Sequence, residues 1–422
     1  MPTFEAMEDT ASGETPPNSL MRMPGESISN EEDREKVLQK VRQLIGWKHQ
    51  SFPGAQPVSL TRSDLPLLFR SDYVVCEKTD GVRALLLAAS GALYLIGRNE
   101  EVHRVDMRLP LRGNAAESQQ LTLLDGEIVL DTVEVNGEEV QQPRFMCYDG
   151  VYVQRRSLRE LNFLERLSIV YTDVILPYEK SQRMAAANPA KQQPPLGIYL
   201  KDFFDISHIL HIEEFAQRLP HISDGLIFTP VRLPYTPGTC PKLLKWKPPH
   251  LNTVDFSVDV LYDQKRCPRL AELFVMVRGT RVFYNEYLAP YGEVYRHIMG
   301  MAIDSKVTQL IVECSWITDA RVWTFVPKVR TRSDNPSANA VNDGKTDYDF
   351  DNGTWVQGGW YAERIRVDKK LPNSLSVVDA VKSSIEDDIT FEMLLQEFAL
   401  FDNNGKIPLY NKCLMPKQYA SS

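Results

Sequence analysis

Residues 73–98 read YVVCEKTDGVRALLLAASGALYLIGR, and this stretch decides the fold. Tyr73–Cys76, Val82–Ala89 and Ala92–Gly97 are short apolar or β-rich runs, the last two split by a Ser90–Gly91 turn, so three strands are expected in succession. Between the first two lies Glu77-Lys78-Thr79-Asp80-Gly81-Val82-Arg83. Gly81 allows a ligand to approach the backbone closely, and Arg83 follows two residues later on the next strand. A lone KxDG is weak evidence, because a polar hairpin turn carries the same residues.

Four further segments strengthen it. Leu121–Leu130 and Gln141–Tyr148 flank Asn136–Gly137, a hairpin signal. Within the first of these strands, Asp125-Gly126-Glu127 places two carboxylates in an apolar run (LTLLDGEIVL), where they need a polar partner or a ligand. Ser223–Phe228 (SDGLIF) repeats the design. Lys245 and Lys247 alternate around Trp246 in LLKWKP, which directs both ammonium groups to one face of a strand. Arg364, Arg366, Asp368 and Lys369 cluster in RIRVDKK. Each has a plain structural alternative, a solvated strand face or a surface charge run.

Outward from these segments, residues 1–28 lack periodicity and are expected to be disordered. Ser29 with Glu32 has the form of a capping box. Val37, Leu38, Val41, Leu44 and Ile45 then recur at helical spacing up to Gly46. Residues 180–195 read as a polar loop, 254–330 as a β-rich barrel-like region, and 331–358 as an inserted surface loop. Two helices are expected at about 374–386 and 389–401, with a tail over 402–422.

The chain has 422 residues, which favours two or three domains. Its formal net charge of −8 is concentrated in residues 1–35 and 333–354, and the remainder is slightly positive. Gripping an anionic ligand needs local cations rather than a high overall charge. Six scattered cysteines without a CxxC pair suit a reducing compartment and speak against a zinc site or a disulfide framework. No apolar run reaches the ~20 residues of a membrane helix.

The order KxDGxR, DGE, an aromatic–Asp pair, DGLIF, LLKWKP and RxDK resembles the covalent nucleotidyltransferases, the mRNA-capping enzymes and polynucleotide ligases. It is most similar to the stand-alone guanylyltransferases of fungal type. Asp224-Gly225, where ligases usually carry Glu-Gly, and KWKP in place of KLK favour the capping side. The resemblance runs from about Phe52 to about Leu395. It implies an α+β fold: a ligase-type (ATP-grasp-like) nucleotidyltransferase domain of antiparallel sheets over 29–252, and an OB-fold β-barrel domain over 253–372. The C-terminal helices, 373–401, are expected to pack back on the first domain.

The resemblance also implies roles. Lys78 is the nucleophile that takes GMP from GTP. A lysine of ordinary pKa, about 10.4, is a protonated non-nucleophile at neutral pH. Arg83, Lys245 and Lys247 are the nearby cations expected to disfavour its charge. Arg83, Arg98 and Glu127 hold the ribose, and Tyr148 stacks on guanine, with Phe145 as runner-up. Lys201 with Thr79 reads the base, because a lysine donates to guanine O6. Asp224 and Asp255 stand on the phosphate or metal side, Asp224 as the Mg²⁺ or Mn²⁺ ligand. Arg364, Arg366, Asp368 and Lys369 reach the triphosphate when the domains close.

The implied partners are RNA with a 5′-diphosphate end, a separate RNA 5′-triphosphatase and the phosphorylated tail of RNA polymerase II, in the nucleus and without a membrane. A separate triphosphatase is expected because Glu134, Glu138 and Glu139 lack strand alternation and no cysteine-phosphatase loop is found. Cys76 and Arg83 miss that loop's spacing by one residue. His208 and His211 form HxxH but read as a helix-face pair. An ATP-dependent ligase and an inactive RNA-end-binding module are the alternatives.

Overall fold

The computed structural model describes residues 23–135, 138–186, 194–329 and 348–402. These form a mixed α+β structure of several sheets and divide into two compact units. The first comprises residues up to 58 and 68–245, the second 59–67 and 246–401.

In chain order, the site-bearing strands of the first unit are β1 (Tyr73–Thr79), β2 (Val82–Ala89), β3 (Thr122–Val135), β4 (Glu138–Val153), β5 (Ser223–Pro230) and β6 (Gly238–Trp246). β2, β3 and β4 are antiparallel neighbours at the centre of an eight-stranded sheet. β1, β5 and β6 belong to a separate five-stranded sheet. Strands buried on both faces read as unbroken apolar runs, as RALLLAA in β2 does. Ala84, Leu86 and Ala88 join Val74 and Cys76 of β1 in one core, while Leu85 and Leu87 pack with Leu38, Val41, Leu44 and Ile45 in another.

Those last four line helix α1 (Glu31–Ile45). Its N-cap is Asn30, whose side chain accepts from the Asp33 backbone N–H at 3.0 Å, rather than Ser29. Gly46, at φ 77°, closes the helix as expected. The expected disorder over 1–28 stops short of its end: Met23 is buried, and Glu26–Ser27 pairs with His103 and Arg104. Residues 1–22 lie outside the described residues. The β3–β4 hairpin forms and runs further both ways than its apolar centre indicates, because its outer ends are solvated. Its Asn136–Gly137 turn lies outside the described residues. Helix α2 (Phe163–Val170) covers β4, and the expected loop at 180–195 is helical as far as Ala186.

The second unit contains β7 (Thr253–Tyr262), β8 (Pro268–Val277), β9 (Thr280–Tyr287), β10 (Leu310–Ile317), β11 (Trp323–Val329), β12 (Tyr348–Gln357) and β13 (Gly359–Ile365). Five of them form a sheet in the order β9-β8-β7-β10-β13 around Phe256 and Trp360. Its path is open, so the expected closed barrel is not seen among the described residues. The expected insertion is partly strand: residues 348–357 are β12, paired with β11, while 330–347 lie outside the described residues. Helix α3 (Gly292–Asp304) interrupts the region read as β-rich; Tyr295, Ile298 and Ala302 form its buried stripe.

Helices α4 (Leu375–Asp387) and α5 (Phe391–Asp402) fall within two residues of their expected bounds. They belong to the second unit, which also takes in Arg62 and Trp246 of the domain expected over 29–252, and Arg62 Nε donates to the Asp387 carbonyl at 2.6 Å. α4 packs on β7 and β8, and the Trp246 indole donates to the Ile389 carbonyl at 2.7 Å. Residues 403–422, the expected tail, lie outside the described residues.

Candidate active site

Lys78 occupies the next-to-last position of β1, and its Nζ donates to Asp224 Oδ1 at 2.6 Å. Asp224 reaches it because β5 is irregular there: Ser223 pairs with Thr79 and Leu226 with Glu77, leaving Asp224-Gly225 in a bulge. A bulge re-aims a side chain off the sheet face, and here it turns a carboxylate toward the lysine. The Asp80 amide donates to the Ile222 carbonyl at 2.9 Å and fixes the same corner.

Tyr148 is placed by the same device. Cys147 pairs with Gly126 and Asp149 with Asp125, so Tyr148 is the extra residue of a bulge in β4. Asp149 anchors it through a bidentate pair with Arg166 of α2, at 2.7 and 2.8 Å. Phe145, the other stacking candidate, is fully buried in the core and leaves Tyr148 as the available ring.

Arg83, expected at the ribose, is held by several partners. Its guanidinium makes a bidentate pair with Asp125 at 3.0 and 2.7 Å, donates to the Ala55 carbonyl at 2.9 Å, and lies 5.5 Å from the Phe52 ring centroid and 4.9 Å from that of Tyr148. Asp125 is fully buried and also accepts from the Tyr235 hydroxyl at 2.7 Å. Burial opposes the Arg83 charge, but Asp125 outweighs it and holds the proton more tightly than usual. Arg83 is thus committed to a buried network that supports Tyr148 from below.

Glu127, across from Arg83 on β3, is half-buried, and its carboxylate carries no hydrogen bond or ion pair among the described residues. Burial pushes its carboxyl up, and Lys201, Lys78, Arg83 and Arg98 oppose that shift. Glu127 thus lies within electrostatic reach of four cations. Arg98 is exposed and likewise carries no ion pair among the described residues.

Lys201 is buried, and its amide donates to the Cys147 carbonyl at 2.8 Å, one residue from Tyr148. Its ammonium meets the Glu77 carbonyl at 2.7 Å, Glu77 Oε1 at 2.8 Å and the Thr79 hydroxyl. Lys201 and Thr79 are therefore together as expected, with Glu77 as an unexpected third member. Lys245 is half-buried on β6, on the face opposite Leu244 and Trp246. β6 ends at Trp246, so Lys247 lies past the strand and falls in the second unit.

The second unit gathers a separate charge cluster. Arg366 Nη1 donates to Asp255 Oδ1 at 3.0 Å and approaches Glu313 Oε2 at 3.4 Å; its Nε and Nη2 clasp Asp368 at 2.9 and 2.7 Å. Lys369 pairs with the other oxygen of Asp255, and Arg364 with Glu313. The Arg366 hydrogen bonds hold the Asp368 carboxyl down to about 2. Burial pushes Glu313 up, but the Thr253 hydroxyl and Arg364 outweigh it and lower it overall. Asp255, expected on the phosphate or metal side, is instead the nearly buried counter-ion of Arg366 and Lys369. Glu313 escaped the sequence reading, although a carboxylate inside the apolar run LIVECSWI is the same signal that singled out Asp125 and Glu127.

Asp224 and Glu127 offer hard carboxylate oxygens, which suit Mg²⁺ or Mn²⁺. No group of three acidic, histidine or cysteine side chains with metal-holding geometry occurs among the described residues, so phosphates and water would have to complete the coordination. His208 and His211 stand as an exposed pair with ring centroids 5.7 Å apart. The buried Cys76 thiol is pushed up to about 12 by burial, which removes it as a nucleophile. No helix among the described residues is long and apolar enough to cross a membrane.

Comparison with known proteins places this geometry in context. The catalytic domain of the mRNA capping enzyme family matches residues 20–249, and the C-terminal domain of that family matches 348–395. The mRNA-capping enzymes of Caenorhabditis elegans and mouse are each 30% identical, over 75% and 86% of this chain. The chain spans about half the length of these animal relatives (49% and 52%). The mRNA-capping enzyme subunit alpha of Saccharomyces cerevisiae is 29% identical over 82% of this chain and 78% of its own length. Among solved structures, a mycobacterial DNA ligase D complexed with ATP and MES is 15% identical, with a TM-score of 0.30, over 63% of this chain and 88% of that one.

Proposed function

This chain belongs to the mRNA capping enzyme family, and from that premise we propose that it is an mRNA guanylyltransferase. Lys78 Nζ attacks the α-phosphate of GTP; the P–N bond forms and pyrophosphate leaves. The terminal oxygen of a 5′-diphosphate RNA then attacks the same phosphorus, the P–N bond breaks, and GMP passes to the RNA as the cap. The observation that carries the reading is the Lys78–Asp224 pair at 2.6 Å, with the Glu127 carboxylate within electrostatic reach of Lys78, Lys201, Arg83 and Arg98.

Each residue has work to do in that scheme. Asp224 aims Lys78 and is within reach of the proton that Nζ must lose before it can attack. Tyr148 offers its ring to guanine, and Lys201 with Thr79 reads the base. Glu127 and Arg98 hold the ribose, while Arg83 holds Tyr148. Lys245 and Lys247 supply positive charge to the α-phosphate, where charge accumulates during transfer. Arg366 and Lys369 act on the departing pyrophosphate, exchanging Asp255 for phosphate oxygens, and Arg364 and Asp368 orient them. A bound Mg²⁺ or Mn²⁺, held by Asp224, would screen phosphate charge. The proposal includes a separate RNA 5′-triphosphatase, the phosphorylated tail of RNA polymerase II as docking partner, and a nuclear location. It is tested by incubation with α-labelled GTP or ATP and denaturing electrophoresis: label from GTP supports it, and label from ATP alone points to a ligase.

A further inference from the structure

Glu77 has no role in the scheme above, yet it is among the most constrained charged groups of the first unit. It is 2% exposed, one residue before Lys78, and its Oε2 is buried without a hydrogen-bond partner among the described residues. Buried carboxylate oxygens are nearly always satisfied, so an orphan acceptor signals a missing donor. Its other oxygen faces Lys201 at 2.8 Å, and Thr79 stands on the same face of β1, opposite to Lys78.

We propose that Glu77 is a specificity-determining residue that accepts the N1–H of guanine through Oε2 while Lys201 donates to O6. The inference rests on the guanylyltransferase reading and deepens it. Neighbouring atoms on the guanine edge are an acceptor, O6, and a donor, N1–H; on adenine they are a donor, N6–H₂, and an acceptor, N1. A lysine beside a carboxylate presents donor then acceptor, which complements guanine at both atoms and adenine at neither. Lys201 follows the strand Gly197–Leu200, which pairs parallel with β4 up to Cys147, so the lysine arrives beside Tyr148. Glu77 comes from β1, and Cys76, Lys201, Glu77 and Glu127 lie within one another's electrostatic reach. The Glu77–Lys201 pair also keeps the lysine charged in a buried setting, as its raised pKa reflects, burial opposing and Glu77 prevailing.

The test uses the full chain and initial rates of covalent labelling with four nucleotides. Inosine triphosphate keeps O6 and N1–H, and should label wild-type protein within about fivefold of GTP. N1-methyl-GTP keeps O6 but lacks the donor, and should be slower by about 100-fold, as should ATP. In Glu77→Gln the amide oxygen keeps Lys201 and the amide nitrogen confronts N1–H. GTP labelling should fall by about 100-fold, and the N1-methyl penalty should shrink to less than about fivefold. A merely structural Glu77 would lower all guanine analogues by one common factor and leave the N1-methyl penalty intact, which overturns the proposal. If Glu77→Gln does not give a cooperative melt, Glu77→Ala replaces it. If neither folds, the wild-type series decides, and N1-methyl-GTP labelling as fast as GTP overturns it. Absence of any label from GTP on wild-type protein would instead strike the underlying reading.

Discussion

Lys78 and Asp224 lie 146 residues apart in the chain and 2.6 Å apart in the fold. Sequence alone picked out both, because each sits in a D-G or K-x-D-G turn at a strand end, but their pairing depends on a bulge that no pattern announces. Arg83 shows the opposite case. Its residue type and position were legible, while its commitment to Asp125 was not, since a bidentate partner 42 residues away leaves no local trace. Asp202, beside Lys201, yields a prediction at this scale. Burial, and then the nearby Glu77 charge, raise its carboxyl to about 7, with Lys201 opposing. The folded pKa lies above the unfolded one, so the native state gains from holding this proton below pH ~4 and loses that gain as pH rises toward 7. Asp202→Asn should therefore be more stable than wild type at pH 8, by up to about 4 kcal/mol, with the gap closing toward pH 4. Urea unfolding at both pH values checks this; an equal gap at both contradicts it.

At the scale of elements, the strands around Lys78 were readable because both faces are buried and their apolar runs are unbroken. Strand ends in solvent, such as residues 138–142, carry no such signal. β12 escaped because its residues, YDFDNGTWVQ, are mostly exposed and polar, so the register with β11 is set by backbone pairing rather than by a buried face. α3 hid for another reason: its apolar stripe lies between long β-rich runs, and its N-cap, Tyr291, makes no side-chain capping bond. Gly81 is where β2 and β3 come too close for a side chain. A Cβ there would meet the Ile128 carbonyl oxygen at 2.4 Å and Glu127 Cγ at 2.9 Å, so β2 and β3 could not keep their register. Gly81→Ala should cost about 2–3 kcal/mol and reduce GMP-adduct formation by more than the stability loss accounts for, because Glu127 moves. Labelling at a temperature where the variant is fully folded tests this, and normal labelling there would remove Gly81 from the site.

For the whole molecule, the mixed α+β class was expected from the family resemblance carried by the motif order, and the described residues divide into two compact units. The strands that α4 covers, β7 and β8, were not legible, because an amphipathic stripe records that a face is buried and not what covers it. The charge cluster of the second unit was legible as RIRVDKK, but its counter-ions Asp255 and Glu313 come from two other strands. In the proposed reaction Arg366 and Lys369 engage the β- and γ-phosphates, which are absent once GMP is on the enzyme. Arg366→Ala and Lys369→Ala should then slow adduct formation by at least about 100-fold and transfer from preformed adduct by less than about tenfold. Equal losses in the two half-reactions would rule out that division of labour.

The central claim is that GMP becomes covalently attached to Lys78, and the most direct measurement is the fate of label from α-labelled GTP on wild-type and Lys78→Arg protein. Arginine keeps the positive charge but cannot shed a proton to become a nucleophile. The account predicts an acid-labile, alkali-stable adduct on wild-type protein, mapped by peptide mass spectrometry to Lys78, and none on a folded Lys78→Arg variant. Label retained by Lys78→Arg, or mapped to another residue, would contradict it.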